Sequence, residues 1–306
     1  MARRIFFMIA TTMVVTIIGS IVISFLMSFF GIEAAAYGQA GFYQFAALIS
    51  FVWGMGGAFI SLLMSKWMAK KFYRLQMLDE HGQGREIVSL VHQLSRKAGL
   101  KTMPEVGVYN SSDLNAFATG PSRNNSLVAV SDGLLHSMNR DEVEGVIAHE
   151  VAHIANGDMV TMTLVQGIVN SFVLFLSRVV AGLIDNFLRN DDDNGGGLGF
   201  FAYMIVYNVL YMLFGVLSAP IVMWFSRFRE YRADSGGAYL VGKHKMIAAL
   251  EKLKTHYDPA TKSELPEGAE AMQALQISGK LKWSEVFSTH PPLEKRINAL
   301  RNSQAY

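Results

Sequence analysis

Four long apolar stretches, 5–30, 42–65, 159–177 and 198–226, run through this chain, and none of them contains a charged residue. About 20 such residues span the ~30 Å hydrocarbon core of a bilayer as a helix, and in lipid only a helix or a closed barrel satisfies its own backbone polar groups. The stretches therefore predict four membrane-crossing helices. The first follows Arg3 and Arg4, as a secretory signal would, but its apolar core is too long and no small-residue cleavage site follows it cleanly, so it reads as a retained helix. The second holds Trp53 and is followed by Lys66, Lys70, Lys71 and Arg74. The third is about 28 Å long at 1.5 Å per residue before Arg178 interrupts it, and 179–184 reads as its continuation. The fourth carries Pro220 and ends against Arg227, Arg229 and Arg232. For the third and fourth, a pair of buried core helices is the competing reading.

Charge placement gives the orientation. Basic residues sit at the N-terminus, after the second stretch and after the fourth. The loops on the other side, 31–41 and 185–197, hold Glu33, Asp185, Asp191, Asp192 and Asp193 against Arg189 alone. The positive-inside rule then places both termini and residues 66–158 in the cytoplasm. Arg178 is either drawn to the far interface or turned into a polar interior between helices. A net charge of +2 over 306 residues, without any basic-aromatic cluster, argues against nucleic-acid binding. The absence of cysteine rules out disulfides, thiol nucleophiles and cysteine-ligated zinc.

Two parts of the chain have soluble character. In the first, 86–94 is helical in pattern and precedes Gly99, 105–109 and 126–130 are short runs of β-formers, and 113–120 lies between them. This predicts a small sheet beside the helix that follows. In the second, 229–253 reads as helical with a break at Gly236 and Gly237. Residues 255–270, with Pro259, Pro266 and Gly268, read as a mobile segment and a candidate lid, and 295–301 closes as a short helix. The expected organisation is 1–66 as two membrane helices, 67–158 as one catalytic part, 159–226 as two further membrane helices, and 227–306 as the other catalytic part.

The chemistry concentrates at His149-Glu150-Val151-Ala152-His153. Imidazoles four positions apart stand one above the other on a helix, close enough to share one metal ion. In such a pattern the metal polarises the scissile carbonyl, and the intervening glutamate takes a proton from the bound water. Asn139 with Glu142 makes a capping box, Asp141 suits the positive helix end, Val143, Val146, Ile147, Val151 and Ile154 form an apolar stripe, and Gly157 is a stop. A catalytic zinc takes three protein ligands and keeps one position open, so a third must come from elsewhere. Glu230, just past the fourth apolar stretch, is the candidate, with Asp234 four residues on placed to orient an imidazole. From spacing alone a solvated charged face shared with Arg227 and Arg229 remains equally open.

With those residues in place, the chain resembles the HtpX-type membrane zinc endopeptidases, relatives of the CAAX prenyl and Oma-type proteases, over nearly its whole length. The resemblance implies a mainly α integral membrane protein, with four transmembrane helices and a cytoplasmic α+β zincin-like domain that contains a small sheet. It implies one Zn²⁺ held by His149, His153 and Glu230, with Glu150 as general base and Asp234 and Arg232 supporting the site. Asn115, Ala116, Phe117 and Ala118 match the strand that pairs with the substrate backbone. His290, in the His-Pro element 288–292, and Arg296 match groups that face the cleft and would donate to the developing oxyanion. Taken alone, His290 would be an ordinary residue of a Pro-Pro turn and Asn115 an ordinary loop residue. The implied setting is the bacterial inner membrane, multi-pass, with termini and active site cytoplasmic, in stress-linked quality control. The implied partners are unfolded or misfolded membrane-protein substrates, the bilayer, and a homo-oligomer or other quality-control proteases. Two other functions stand beside this one. A zinc-stabilised scaffold or chaperone would leave Glu150 without a task, and a transporter would want paired helix repeats that this chain lacks.

Overall fold

The computed structural model describes residues 38–82, 84–188, 197–257 and 290–303. The first apolar stretch, most of 255–270, residues 189–196 of the acidic loop, and Ser288 and Thr289 lie outside the described residues. In order along the chain come α1 (Gly38–Phe72), β1 (Gln76–Leu78), α2 (Arg85–Lys97), β2 (Glu105–Tyr109), β3 (Ala116–Ser122) and β4 (Asn125–Ser131). Then follow α3 (Asp132–Ser137), α4 (Arg140–Asn156), α5 (Asp158–Leu188), α6 (Gly199–Val241), α7 (Lys243–Tyr257) and α8 (Leu293–Asn302). The protein is mainly helical with a small mixed sheet.

Three described helices are long and apolar enough to cross a membrane: Tyr43–Phe72, Asp158–Leu188 and Gly199–Val241. Their surfaces carry exposed Phe51, Phe59, Ile168, Phe172, Ile205 and Leu213, apolar area that water would penalise and lipid accepts. Two compact units divide the chain, one of residues 1–58 with 165–219 and the other of 59–164 with 220–306.

In the first unit α1 and α5 meet through small residues. A Cβ on Gly54 would come within 2.5 Å of the Ser171 backbone nitrogen, so only glycine permits this approach. Arg178 does not interrupt α5, which continues to Leu188. Its guanidinium turns inward, donating to Ser50 Oγ at 2.9 Å and to the Leu174 carbonyl at 3.3 Å, and it lies 5.4 Å from the Tyr207 ring centre. Of the two expectations for this residue, the polar interior is the one that holds.

The second unit is built on the sheet, in the order β1-β2-β4-β3. Strand β2 runs parallel to β4, while β1 and β3 are antiparallel to their neighbours. The three-residue β1 is too short to stand out in sequence. One face of the sheet, with Val106, Val128 and Val130, packs on Val143, Ile147 and Val151 of α4 and on Val88, Val91 and Leu94 of α2. Lys66 and Lys70, near the end of α1, reach Glu105 of β2 at 2.9 and 2.5 Å. The expected break at Gly236 and Gly237 does not occur: α6 runs through both, and the chain turns only at Gly242, where φ is 93°. Those two glycines serve packing instead. A Cβ on Gly236 would lie 2.9 Å from that of Ala152, and one on Gly237 would lie 3.2 Å from the His149 nitrogen. Lys97 of α2 donates to the Leu240 carbonyl and so caps the end of α6.

Candidate metal centre

Helix α4 starts where the sequence says it should. Asn139 Oδ1 accepts from the Glu142 N–H at 3.0 Å, and Glu142 Oε2 accepts from the Asn139 N–H at 2.9 Å. Gly157 ends it in the left-handed conformation, with φ 72°. Within it His149 and His153 stack edge to face with ring centres 4.6 Å apart, and their Nε2 atoms face one another at 3.1 Å.

The close approach of α6 at Gly236 and Gly237 brings in Glu230. Its Oε2 lies 3.5 Å from His149 Nε2 and its Oε1 3.5 Å from His153 Nε2. One ligand atom from each of His149, His153 and Glu230 falls within 4.8 Å of the others. Glu230 is 1% exposed, which removes the reading of a solvated charged face.

Each imidazole is held from behind by a carboxylate. His149 Nδ1 lies 3.0 Å from Asp234 Oδ1, and His153 Nδ1 lies 2.7 Å from Asp158 Oδ2. Both carboxylates are in turn held by arginines. Arg296 clamps Asp234 with Nε at 2.8 Å and Nη2 at 2.6 Å, while Arg232 Nη2 donates to Asp158 Oδ1 at 2.5 Å. With the proton on Nδ1, both Nε2 lone pairs point at the same small space as the Glu230 carboxylate.

A cation fits this donor set. Two Nε2 atoms 3.1 Å apart either share one N–H···N hydrogen bond or, with both protons on Nδ1, turn their two lone pairs onto a cation. Glu230 Oε2 is buried with no hydrogen-bond partner of good geometry among the described residues, although His290 Nδ1 stands 2.9 Å away. Burial alone would keep the rings neutral. For His153, Asp158 and Glu230 outweigh that effect and push the imidazole up to about 9. His149 is likewise raised, by Asp234 and Glu230 against burial. Four carboxylates, Glu150, Glu230, Asp234 and Asp158, gather here with the guanidiniums of Arg296 and Arg232, an acidic excess that favours a cation beside the rings.

Glu150 lies on the open side. It lines a cleft of about 140 Å³ together with His149, Glu230, His290, Arg296 and, from the start of the edge strand, Asn115 and Ala116. Val146, Met246, Leu250 and Leu253 form the apolar wall of the same cleft.

The sequence profile of peptidase family M48 matches residues 82–304, which include every group just described. The chain belongs to peptidase family M48. Among its relatives is the protein named Protease HtpX of Shewanella pealeana, 54% identical over 301 residues, covering 98% of this chain and 99% of that one. The Protease HtpX of Tolumonas auensis is 50% identical over 301 residues, with the same coverage. Among solved structures, Ste24p of S. mikatae superposes with a TM-score of 0.57 at 19% identity, covering 94% of this chain and 65% of that one. At that identity the likeness speaks for the fold. The M48 chain is thus a metallopeptidase with the apolar helices of an integral membrane protein.

The two expected cleft residues from the C-terminal part differ in burial. Arg296 is 6% exposed with its fork spent on Asp234 and its Nη1 3.4 Å from Glu230 Oε2. Its guanidinium lines the cleft while its Nε and Nη2 are engaged with Asp234. His290 has a side chain 65% exposed and reaches solvent. Arg232 touches the site through Asp158, which sequence reasoning passed over. The only signal for Asp158 was an acid directly after the helix-ending glycine, where the reversing chain swings back toward His153. The cleft wall from α7 was also missed, although Met246, Leu250 and Leu253 recur at helical spacing.

Proposed function

We propose that this protein is a membrane-embedded zinc endopeptidase that cleaves misfolded or damaged membrane proteins at the cytoplasmic face of the bacterial inner membrane. The observation that carries this is the convergence of His149, His153 and Glu230, each ring backed by a carboxylate, at the base of a cleft that also holds Glu150. His149 Nε2, His153 Nε2 and Glu230 would hold the ion. Zinc bound there supplies a Lewis acid and a water acidic enough to react near neutral pH.

The chain's own residues do the rest. Glu150 accepts the proton of the attacking water and returns it to the leaving amine. His290 donates to the oxygen that gains charge, a contribution whose loss costs about 10²–10³ in rate elsewhere. Asp234 with Arg296, and Asp158 with Arg232, keep the two imidazoles oriented. The outer edge of β3 accepts the substrate as an added strand through main-chain hydrogen bonds. Such a strand must be extended, so unfolded loops and termini are the substrates. The apolar cleft wall favours an apolar side chain beside the cleaved bond. In sequence, His149 and Glu230 each lie close to an apolar stretch, which supports substrates met at the bilayer surface.

The test is metal analysis of the purified protein combined with cleavage of an unfolded membrane protein. Zinc should be present near one equivalent and a chelator should stop cleavage. Glu150→Gln should retain zinc and lose at least about 10²-fold in rate. Proteolysis undiminished by that substitution would remove Glu150 from the mechanism, and bound zinc with no proteolysis in the wild type would favour a scaffold.

A further inference from the structure

Strand β3 is an edge strand of the sheet, and the way it is held decides which of its groups face outward. The Ser131 N–H donates to the Asn115 carbonyl at 2.9 Å, and the Asn115 N–H donates to Ser131 Oγ at 3.1 Å. The backbone groups of Asn115 therefore turn toward β4. Pairing with β4 is antiparallel, with Phe117 opposite Ala129 and Ala118 opposite Val128. Alternation then turns the groups of Phe117 inward and those of Ala116 and Ala118 outward.

Side chains alternate as well. Ala116 and Ala118 lie on the face that packs toward α4. Phe117 lies on the opposite face, where its ring meets Tyr73 at 4.9 Å and Tyr109 at 5.8 Å between centres. Tyr73 and Tyr109 touch each other at 5.2 Å, so the three rings brace one another. Tyr109 is 5% exposed and Tyr73 is 50% exposed, which makes this cluster anchored on one side and open on the other.

We infer that Phe117, braced by Tyr73 and Tyr109, is a specificity-determining residue that selects an aromatic or β-branched side chain at the substrate position paired across from it. This rests on the reading of β3 as the substrate-binding edge. Because Phe117 spends its N–H and C=O on β4, a residue facing it in an antiparallel added strand forms a non-hydrogen-bonded pair. In such pairs the Cα atoms are only about 4.5 Å apart and the side chains come closest. Aromatic–aromatic and aromatic–β-branched pairs are the cross-strand contacts that gain most over alanine. A ring already fixed by two neighbours loses little freedom on making that contact. The neighbouring substrate residues turn the other way, toward the face with Glu150. Main-chain pairing alone would be blind to sequence, whereas this arrangement adds one selective position, and it suits strand-like segments of apolar proteins.

The experiment uses the full-length zinc-loaded protein in detergent and a peptide set spanning one cleaved segment, with single positions varied among Phe, Val, Ala and Asp. One position at a constant distance from the cleaved bond should prefer Phe or Val over Ala by about two- to fivefold in kcat/KM. The preference should lie mainly in KM, as expected of a contact made equally before and during reaction. Phe117→Ala should flatten it, Phe117→Tyr should restore it, and Tyr73→Ala should weaken it. Should Phe117→Ala fail to fold, Phe117→Leu and Tyr73→Ala decide between the same two outcomes. Zinc-dependent cleavage whose profile is unchanged in these variants overturns the inference alone, while no cleavage by the wild type overturns the protease reading with it.

Discussion

Asp158 is 1% exposed, grips His153 Nδ1 at 2.7 Å and is gripped in turn by Arg232. One carboxylate thereby decides which nitrogen of His153 faces Glu230. Asp158→Asn leaves all three ligand side chains in place but can no longer hold the ring as strongly. Zinc affinity should fall by about 10–100-fold, measured by competition with a coloured chelator. Equal affinity in the variant would mean that the ring is oriented by other contacts. Glu230 teaches a related lesson. Arg227 and Arg229 beside it in sequence are the partners of a solvated face, and only its burial beneath two imidazoles separates a candidate ligand from a surface charge.

At the scale of elements, the contact of α4 with α6 is what assembles the site, and it depends on missing side chains. Gly236→Ala would put a methyl group 2.9 Å from Ala152 Cβ, inside contact distance, and the helices would have to separate. Overpacking of this kind costs about 1–3 kcal/mol, so thermal unfolding should shift down and zinc affinity should fall with it. A neutral outcome would show that α6 can slide without disturbing Glu230. The end of α1 is tied to the sheet differently, by charge. Burial tends to raise the Glu105 carboxyl, but Lys70 and Lys66 outweigh it and hold it below its ordinary value. A lowered folded-state value stabilises the fold above the unfolded value and stops doing so as pH falls through the folded one. Glu105→Gln should therefore lower stability slightly near pH 7, by well under about 1 kcal/mol for so exposed a pair, and the difference from the wild type should shrink as pH falls below the ordinary carboxyl range. The glycine pair at 236 and 237 looks like a helix break in sequence because glycine lowers helix propensity, and the neighbouring helices that override that preference are not visible there. The strands at 105–109 and 126–130, by contrast, were legible, since alternation and β-branched residues act locally.

For the whole molecule, membrane orientation is the property most open to a direct check. The chain has no cysteine, so single-cysteine variants report cleanly. Lys101→Cys, an exposed position in the second unit, should react with an impermeant thiol reagent only from the cytoplasmic side. Asp192→Cys, in the acidic loop, should react only from the opposite side, and the reverse pattern would sink the positive-inside assignment. By itself the sequence determined the long apolar helices, the capped helix with two histidines on one face, and the short strands. All of these follow from periodicity, capping and length, which act over a few residues. The tertiary structure alone decided that Glu230 meets that face, that Asp158 and Asp234 stand behind the rings, and that Arg296 is spent on Asp234. Those pairings join residues from separate helices, and which of them meet depends on where glycines let backbones approach, which no local preference encodes.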